Sequence, residues 1–506
     1  MKFLKFLAFL LPGIFCFQNG WSQMKNYEKE WEKIDQLIGK QNRPQSALTE
    51  VKKIYSLAKK EKQDAQVIKA LIYMSDLQES TRENNSELSI REMEKEIAGA
   101  KEPMASLLKS ITAGMYWTYL QNHRWEFYQR TNTVNFNKDD IATWTIDDFH
   151  KKISELYLAS IQHEALLKSQ KLEKYDAIIY KGNVRHLRPT LYDLLAHHAL
   201  IYFKNDERLI ARPAYAFEIN QVEAFAPADQ FIKVKFTTKD SFSLHHKALL
   251  IYQNLIAFHL NDSKPDALID VDIARIQFVK QHATIANKDS LYLTALDQII
   301  ARYEGQPAIK QAQYLKALWY EENAVTYSPF GDTTHRMARV IARNILRDVV
   351  KDSSEKNEGW INSHNLLQTI EEPSFSFDLE QVNIPNQPFR SLVKYRNVGT
   401  LYFRILKASE VKEILKKAGK EDQSEDDLLW HALLNATPLK EWKQELPRTN
   451  DLQEHSVEIK IEALPSGEYY LIACSNPSFA QRTYPLGARS FWTSNISYVN
   501  MGNQYF

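Results

Sequence analysis

The sequence predicts a multidomain α + β chain: an N-terminal all-α array of helical hairpins, followed by a β-sandwich. Three observations carry this. Up to residue 372, apolar residues recur at three- and four-residue steps, the period of an amphipathic helix. From Ser374 to Pro477 the period drops to two. Val457, Ile459 and Ile461 alternate with Glu458, Lys460 and Glu462, the turn Pro465-Ser466-Gly467 follows, and Glu468–Ala473 forms a second run. Only 14 of 506 residues are glycine, which fits long helices better than a turn-rich all-β chain.

The first 22 residues read as an export signal. Lys2 and Lys5 supply a positive start, Phe6–Phe17 is an apolar run broken by Pro12 and Gly13, and Gly20-Trp21-Ser22 suits cleavage before Gln23. The run is shorter than the roughly 20 residues a membrane span needs. No later stretch qualifies, so a soluble or peripheral protein of the periplasm or outer envelope is expected. Lipoprotein processing at Cys16 is disfavoured because the large Phe15 precedes it. Cleavage after Ser22 leaves Cys474 as the sole cysteine, which rules out an intrachain disulfide and makes a buried thiol the default.

The array, residues 23–372, divides as follows. Trp31, Ile34, Leu37 and Ile38 share one helix, which Gly39 ends. Pro44 opens a second with Leu48, Val51, Ile54, Tyr55 and Ala58. Asp64 is placed to cap a third carrying Val67, Ile68, Leu71, Ile72 and Leu77. Ser86 and Pro103 open a fourth and a fifth, the latter with Leu107, Leu108, Ile111, Met115, Trp117 and Leu120. An interruption at 123–148 precedes a further helix to Leu166. Tyr175–Tyr180 is ambiguous, and Leu191–Tyr202 is helical. Phe231–Phe236 reads as a lone strand or an extended crossing. Helical patterns return at His245–Leu260, Asp266–Ala283, Lys288–Tyr303, Pro307–Asn323 and Thr333–Val350. No strict 34-residue repeat runs through them.

The sandwich is expected over 373–488, with the boundary at Glu371-Glu372-Pro373. Phe375 and Phe377, Leu392–Tyr395 and Leu401–Leu406 are its first strands. Val411–Ala418 and Asp426–Leu434 read as a helical insert at its rim. Residues 489–506 read as the start of a further, truncated strand region.

Lys plus Arg number 64 against 63 Asp plus Glu, so no bulk field steers nucleic acid, and no nucleic-acid partner is expected. No catalytic constellation assembles. His163-Glu164 lacks the second histidine of a zinc helix, since Leu167 stands in that place. His197-His198 point about 100° apart on a helix and cannot share a metal as an i, i+4 pair does; His245-His246 are read likewise. Asp147-Asp148 and Glu425-Asp426-Asp427 suit helix starts. Glycine-rich phosphate loops, Gly-x-Ser-x-Gly and Cys-x-x-Cys are absent. No catalytic residue, cofactor or metal ligand is therefore assigned, and no enzyme is expected. The candidate binding surface is the aromatic group Trp117, Trp125, Phe127 and Tyr128, with Tyr119 beside them and Trp144 following. Core packing competes with a peptide or sugar groove as its explanation.

The run N-H-R-W-E-F-Y-Q-R-T-N-T-V-N-F-N-K-D-D-I-A-T-W, from Asn122 to Trp144, resembles the N-terminal helical region of exported bacterial (Bacteroidetes-type) alpha-2-macroglobulin-like proteins. So does R-P-T-L-Y-D-L-L-A-H-H-A-L, from Arg188 to Leu200. L-K-E-W-K-Q-E-L-P, Leu439 to Pro447, and E-H-S-V-E-I-K-I-E-A-L-P-S-G-E-Y-Y-L-I-A, Glu454 to Ala473, are similar to that family's first macroglobulin-like sandwich. The similarity covers most of the chain. It implies a macroglobulin-like (fibronectin-III-like) sandwich and the N-terminal scaffold of an endopeptidase inhibitor that traps proteases, its partners, through parts beyond this chain. Such traps carry a bait and often a Cys–Gln thioester. Cys474-Ser475-Asn476-Pro477 does not match that motif, so no thioester residue carries over. The alternative reading is a helical-repeat outer-membrane nutrient-binding accessory protein. Its length and helix content fit, but such proteins are lipidated near the N-terminus and lack a terminal module with this strand pattern. Association with the envelope is open under either reading.

Overall fold

The computed structural model describes residues 27–79, 81–128, 140–206, 214–417, 424–480, 483–496, 500–501 and 504–505. The expected signal segment with Cys16, the loop at 131–139 and parts of 489–506 lie outside the described residues. Two compact units emerge. One holds the chain up to Phe217 together with Phe236–Leu255; the other holds Glu218–Lys235 and the chain from Ile256 on.

The first unit begins with α1 (Glu28–Gly39), α2 (Pro44–Glu61), α3 (Asp64–Gln78), α4 (Asn85–Gly99) and α5 (Met104–Asn122). Pro44 opens α2 as its spacing suggests. Asp64 is the first residue of α3 rather than its cap, and no side chain caps that end. Short α6 (Arg124–Tyr128), α7 (Ile146–Ser160), α8 (Glu164–Ser169) and α9 (Leu191–Phe203) follow. The starts of α7 and α9 are reciprocal capping boxes. Thr145 pairs with Asp148 and Thr190 with Asp193, so each hydroxyl accepts from a backbone N–H that the helix leaves free. The ambiguous stretch Tyr175–Tyr180 begins at the end of a 3₁₀ turn, Leu172–Tyr175, and continues as turn and bend without a helix or strand of its own.

The chain continues through α10 (Ala228–Phe231) and α11 (Leu244–His259). Of the lone strand or extended crossing expected at Phe231–Phe236, the strand does not form. Phe231 closes α10, and the Lys233 and Val234 N–H groups turn back onto Gln230 and Phe231 carbonyls. Phe231 is fully buried with the Arg275 guanidinium 4.5 Å from its ring centre. The alternation of lysines with apolar residues mimicked a strand, and the packing of Phe231 overrode it.

The second unit then builds α12 (Asp266–His282), α13 (Lys288–Arg302), α14 (Ile309–Ala324), α15 (Ala338–Lys351) and α16 (Glu358–Glu371). Gly359 lets α16 close on α14: a Cβ there would stand 2.3 Å from the Gln311 nitrogen and 2.4 Å from the Lys310 carbonyl carbon. Next come β1 (Ser374–Leu379), β2 (Val382–Asn383), β3 (Phe389–Arg396), β4 (Thr400–Lys407), α17 (Ala408–Lys417), α18 (Glu425–Asn435), β5 (Lys440–Glu445), β6 (His455–Ile461), β7 (Gly467–Cys474) and β8 (Leu486–Thr493). A small hairpin, β9 (Asn500–Met501) with β10 (Gln504–Tyr505), closes the description.

Two sheets result. One is antiparallel in the order β1-β3-β6; the other runs β2-β8-β7-β4-β5 and is antiparallel except for the parallel β2–β8 pair. Period-two alternation sends one face of each sheet into a shared core. Phe377, Val393, Ile459 and Ile461 come from the first, and Leu401, Phe403, Leu471 and Phe491 from the second. The helical insert is not a rim excursion. Val411, Ala432 and Leu433 cover the other face of the five-stranded sheet, on Leu406, Ile472 and Cys474. Burial on both faces explains why β7 reads as a continuous apolar run.

Two boundaries shift. Arg489–Thr493, expected to begin a further region, is the body of β8, paired with β7 from Gly467↔Thr493 to Cys474↔Leu486. The change of period at Glu371–Pro373 does not separate compact units either, since α12 to α16 belong with the sheets. Among the described residues no helix is long and apolar enough to cross a membrane.

Candidate functional site

The aromatic residues singled out from sequence do not form one surface. Trp117 on α5 is partly buried, edge-on to Tyr202 at 5.3 Å and 5.8 Å from the His150 ring. Trp144 is stacked flat on Tyr116 at 5.4 Å and leans on Phe149 at 5.1 Å. Phe127 is sealed at 2% exposure, 5.0 Å from Phe149. These three hold α5, α7 and α9 together, each ring pair adding about 0.5–1.5 kcal/mol beyond its buried area. Trp125, at 83% exposure, is open to solvent, and the side chain of Tyr128 lies outside the described residues. A groove built on all five is therefore corrected: Phe127 is core, and Trp117 and Trp144 pack inward. Aromatic spacing on a helix cannot separate core from platform, because both put rings on one face.

A cleft of about 500 Å³ lies within the second unit. The loop from α14 to α15 forms one wall, with Tyr327 and Pro329; Arg339 of α15 lies beneath. The end of the three-stranded sheet forms the other wall, where Ser374 and Arg396 sit opposite each other on β1 and β3. Gln453, from the loop before β6, closes the floor.

That loop is a wedge. Leu452 has a left-handed backbone, φ 58°, which a branched side chain rarely adopts. The conformation lets Leu452 pack against the α14–α16 core of Ala317, Ala342, Leu346 and Ile370. Its neighbours are held by polar contacts. Buried Asp451 accepts from His455 Nε2 at 2.8 Å, Arg336 Nε at 3.0 Å and the Gln453 N–H at 3.1 Å. Burial alone pushes an aspartate up, but the bonds from His455, the Gln453 N–H and Arg336 outweigh it and hold Asp451 below its ordinary range. Gln453 Nε2 donates to the carbonyls of Ala324, His335 and Arg336 at 3.2–3.4 Å, while its Oε1 accepts from Arg339.

The β3–β4 turn finishes the last helix. Arg396 Nη2 donates to the Thr369 carbonyl at 3.2 Å, and Asn397, at φ 57°, donates to the Ile370 carbonyl at 2.7 Å. These are C-terminal carbonyls of α16 that the helix itself leaves unpaired, and a cation there also complements the dipole. Sequence reading missed this set because Arg336, Arg396 and Asp451 are scattered, with Arg336 and Asp451 115 positions apart and no fixed spacing among them. The hint was Leu452 between two polar residues in an otherwise polar loop.

Elsewhere the chemistry is muted. Cys474 is a buried free thiol whose pKa burial raises, the opposite of an activated nucleophile. His197 Nδ1 lies 2.8 Å from the Asp193 carbonyl, while burial and then Arg188 lower the pKa of His198, so the neighbours are handled separately. A second depression, about 360 Å³, lies among α12, α13 and α14 beside Tyr292 and Trp319. No family model matches the sequence, and no curated protein matches it.

Proposed function

We propose that this chain is a scaffold portion of an exported alpha-2-macroglobulin-like protease trap, in which the helical array leads into a macroglobulin-like, fibronectin-III-like sandwich. The observation that carries the reading is the strand order. In chain sequence β1, β3, β4, β5, β6, β7 and β8 take the places A, B, C, C′, E, F and G. This sets an A-B-E sheet against C′-C-F-G, the Greek-key plan of such sandwiches. A tyrosine corner supports it: Tyr469, near the start of β7, donates to the carbonyl of Pro465 four residues upstream at 3.1 Å. Both residues lie in the Glu454–Ala473 string that carries the resemblance.

In this reading the chain positions rather than cuts. The wedge at Asp451–Gln453 and the α16 cap at Arg396–Asn397 tie the sandwich to the helices before it. The bait and thioester of such traps have no counterpart in these residues, so trapping is assigned to other sequence of the same protein. The test is the genomic reading frame past the codon for Phe506. An open frame encoding further sandwiches and a bait is the expected result. A stop codon there, with no adjoining frame of that kind, overturns the reading.

A further inference from the structure

We infer that the cleft between the α14–α15 loop and the three-stranded sheet binds a peptide carboxylate flanked by an apolar side chain, with Arg396 as its counter-ion. This site stands independently of the scaffold reading.

The charge argument comes first. A guanidinium has five N–H donors and is always charged. Arg396 is partly buried, donates through Nη2 to the Thr369 carbonyl, and leaves Nε buried with no partner. Among the described residues no carboxylate lies within ion-pair distance of it. Arg339 beneath the same cleft is the contrast: its Nε reaches both oxygens of Glu321, at 2.9 and 3.2 Å, and its Nη1 reaches Gln453 and the Leu452 carbonyl. Glu454, also in the lining, is exposed and pairs with neither arginine. Arg396 is therefore the guanidinium of this lining that has no carboxylate paired with it. A carboxylate answers it best, since the planar fork of arginine matches two carboxylate oxygens.

The apolar part comes from the loop. Phe330 is fully exposed and Val325 is 69% exposed, on either side of Tyr327 and Pro329 in the cleft wall. The turn that presents Phe330 is closed by the Ser328 N–H on the Asp332 carbonyl at 2.8 Å and the Gly331 N–H on the Ser328 carbonyl at 3.1 Å. An ordered turn displaying a bare aromatic ring next in sequence to Pro329 of the cleft wall is an anchor of the kind found at binding sites. The volume suits a few side chains of an extended peptide.

The test is fluorescence anisotropy of three dye-labelled peptides on the intact chain at low salt. They are Gly-Ser-Gly-Ser-Leu-Phe as free acid, the same peptide as amide, and Gly-Ser-Glu-Phe-Gly-Ser as amide. An acid-bearing peptide is expected to bind roughly tenfold or more tighter than the neutral one, as a charge-assisted contact implies. Preference for the free acid identifies a chain terminus; preference for the internal glutamate identifies an acidic side chain. Arg396→Met should erase the preference. Ser374→Glu, at an exposed lining position that safeguards folding, should erase it too by placing a carboxylate directly across the strand pair from Arg396. Phe330→Ser should weaken all three peptides. Equal affinity for charged and neutral peptides, no binding at millimolar concentration, or a preference that survives in folded Ser374→Glu and Arg396→Met overturns the proposal.

Discussion

Arg275 is the residue whose removal should be felt most. It is 1% exposed, bonded to Asp272 through Nε at 3.0 Å and again through Nη2, and donates to the Ala224 and Ala226 carbonyls. Arg275→Ala strands the buried Asp272 carboxylate and two carbonyls, and should destabilise the protein by about 3–5 kcal/mol in chemical denaturation. Gly359 is the steric counterpart. A methyl group there meets backbone of α14, which cannot rotate aside, so Gly359→Ala should lose roughly 1–3 kcal/mol despite alanine's better helix propensity. A Gly359→Ala protein as stable as the wild type would show that α16 can slide off α14 without penalty.

At the scale of elements, strand β7 is tied at its start by one carbonyl. Pro465 accepts from Tyr469 across the corner and from Thr493 Oγ1 at the end of β8. Tyr469→Phe removes one of two donors, so the carbonyl keeps a partner and the loss should be about 0.5–1.5 kcal/mol in thermal or urea unfolding. A much larger loss would mean that the Thr493 bond fails with it. The strand pair β4–β5 illustrates what pattern reading overlooks. Lys440–Glu445 is charged at most positions and alternates partly buried with exposed residues, because β5 is an edge, where charge guards against pairing with other chains. Its identity as a strand came from pairing with β4, not from its own alternation.

At the scale of the whole molecule, buried tyrosine hydroxyls set an alkaline limit. Burial raises Tyr157 and Tyr175 from the ordinary value of 10.0 to about 12, aided at Tyr175 by Asp64. Burial likewise raises Tyr116, Tyr192 and Tyr292, with Glu94, Glu164 and Glu322 adding to it. The neutral form is the one the fold accommodates, so this stabilisation is complete below pH 10. It is lost as pH rises from 10 toward 12, where unfolded tyrosine ionises and the folded hydroxyls resist. Denaturant midpoints should hold up to pH 10 and fall steeply above it, in step with tyrosinate absorbance. A midpoint unchanged across that window would show that these hydroxyls reach solvent in the native state.

The hairpin helices, the acidic helix starts at Asp147-Asp148 and Glu425-Asp426-Asp427, and the strands at Phe375–Phe377, Leu401–Leu406 and Val457–Ala473 were legible in the sequence. Their signals are local: period, capping chemistry and turn residues lie within a few positions of the elements they specify. Only the tertiary structure decided that Phe231–Phe236 turns rather than extends, that α17 and α18 roof a sheet, and that Trp117, Phe127 and Trp144 face inward while Trp125 faces out. Only it brought Arg339, Gln453 and Arg396 to one cleft and paired Arg336 with Asp451. Which face of a helix is covered, and which distant side chain satisfies a buried charge, depend on contacts between residues tens to more than a hundred positions apart, and periodicity carries no record of those.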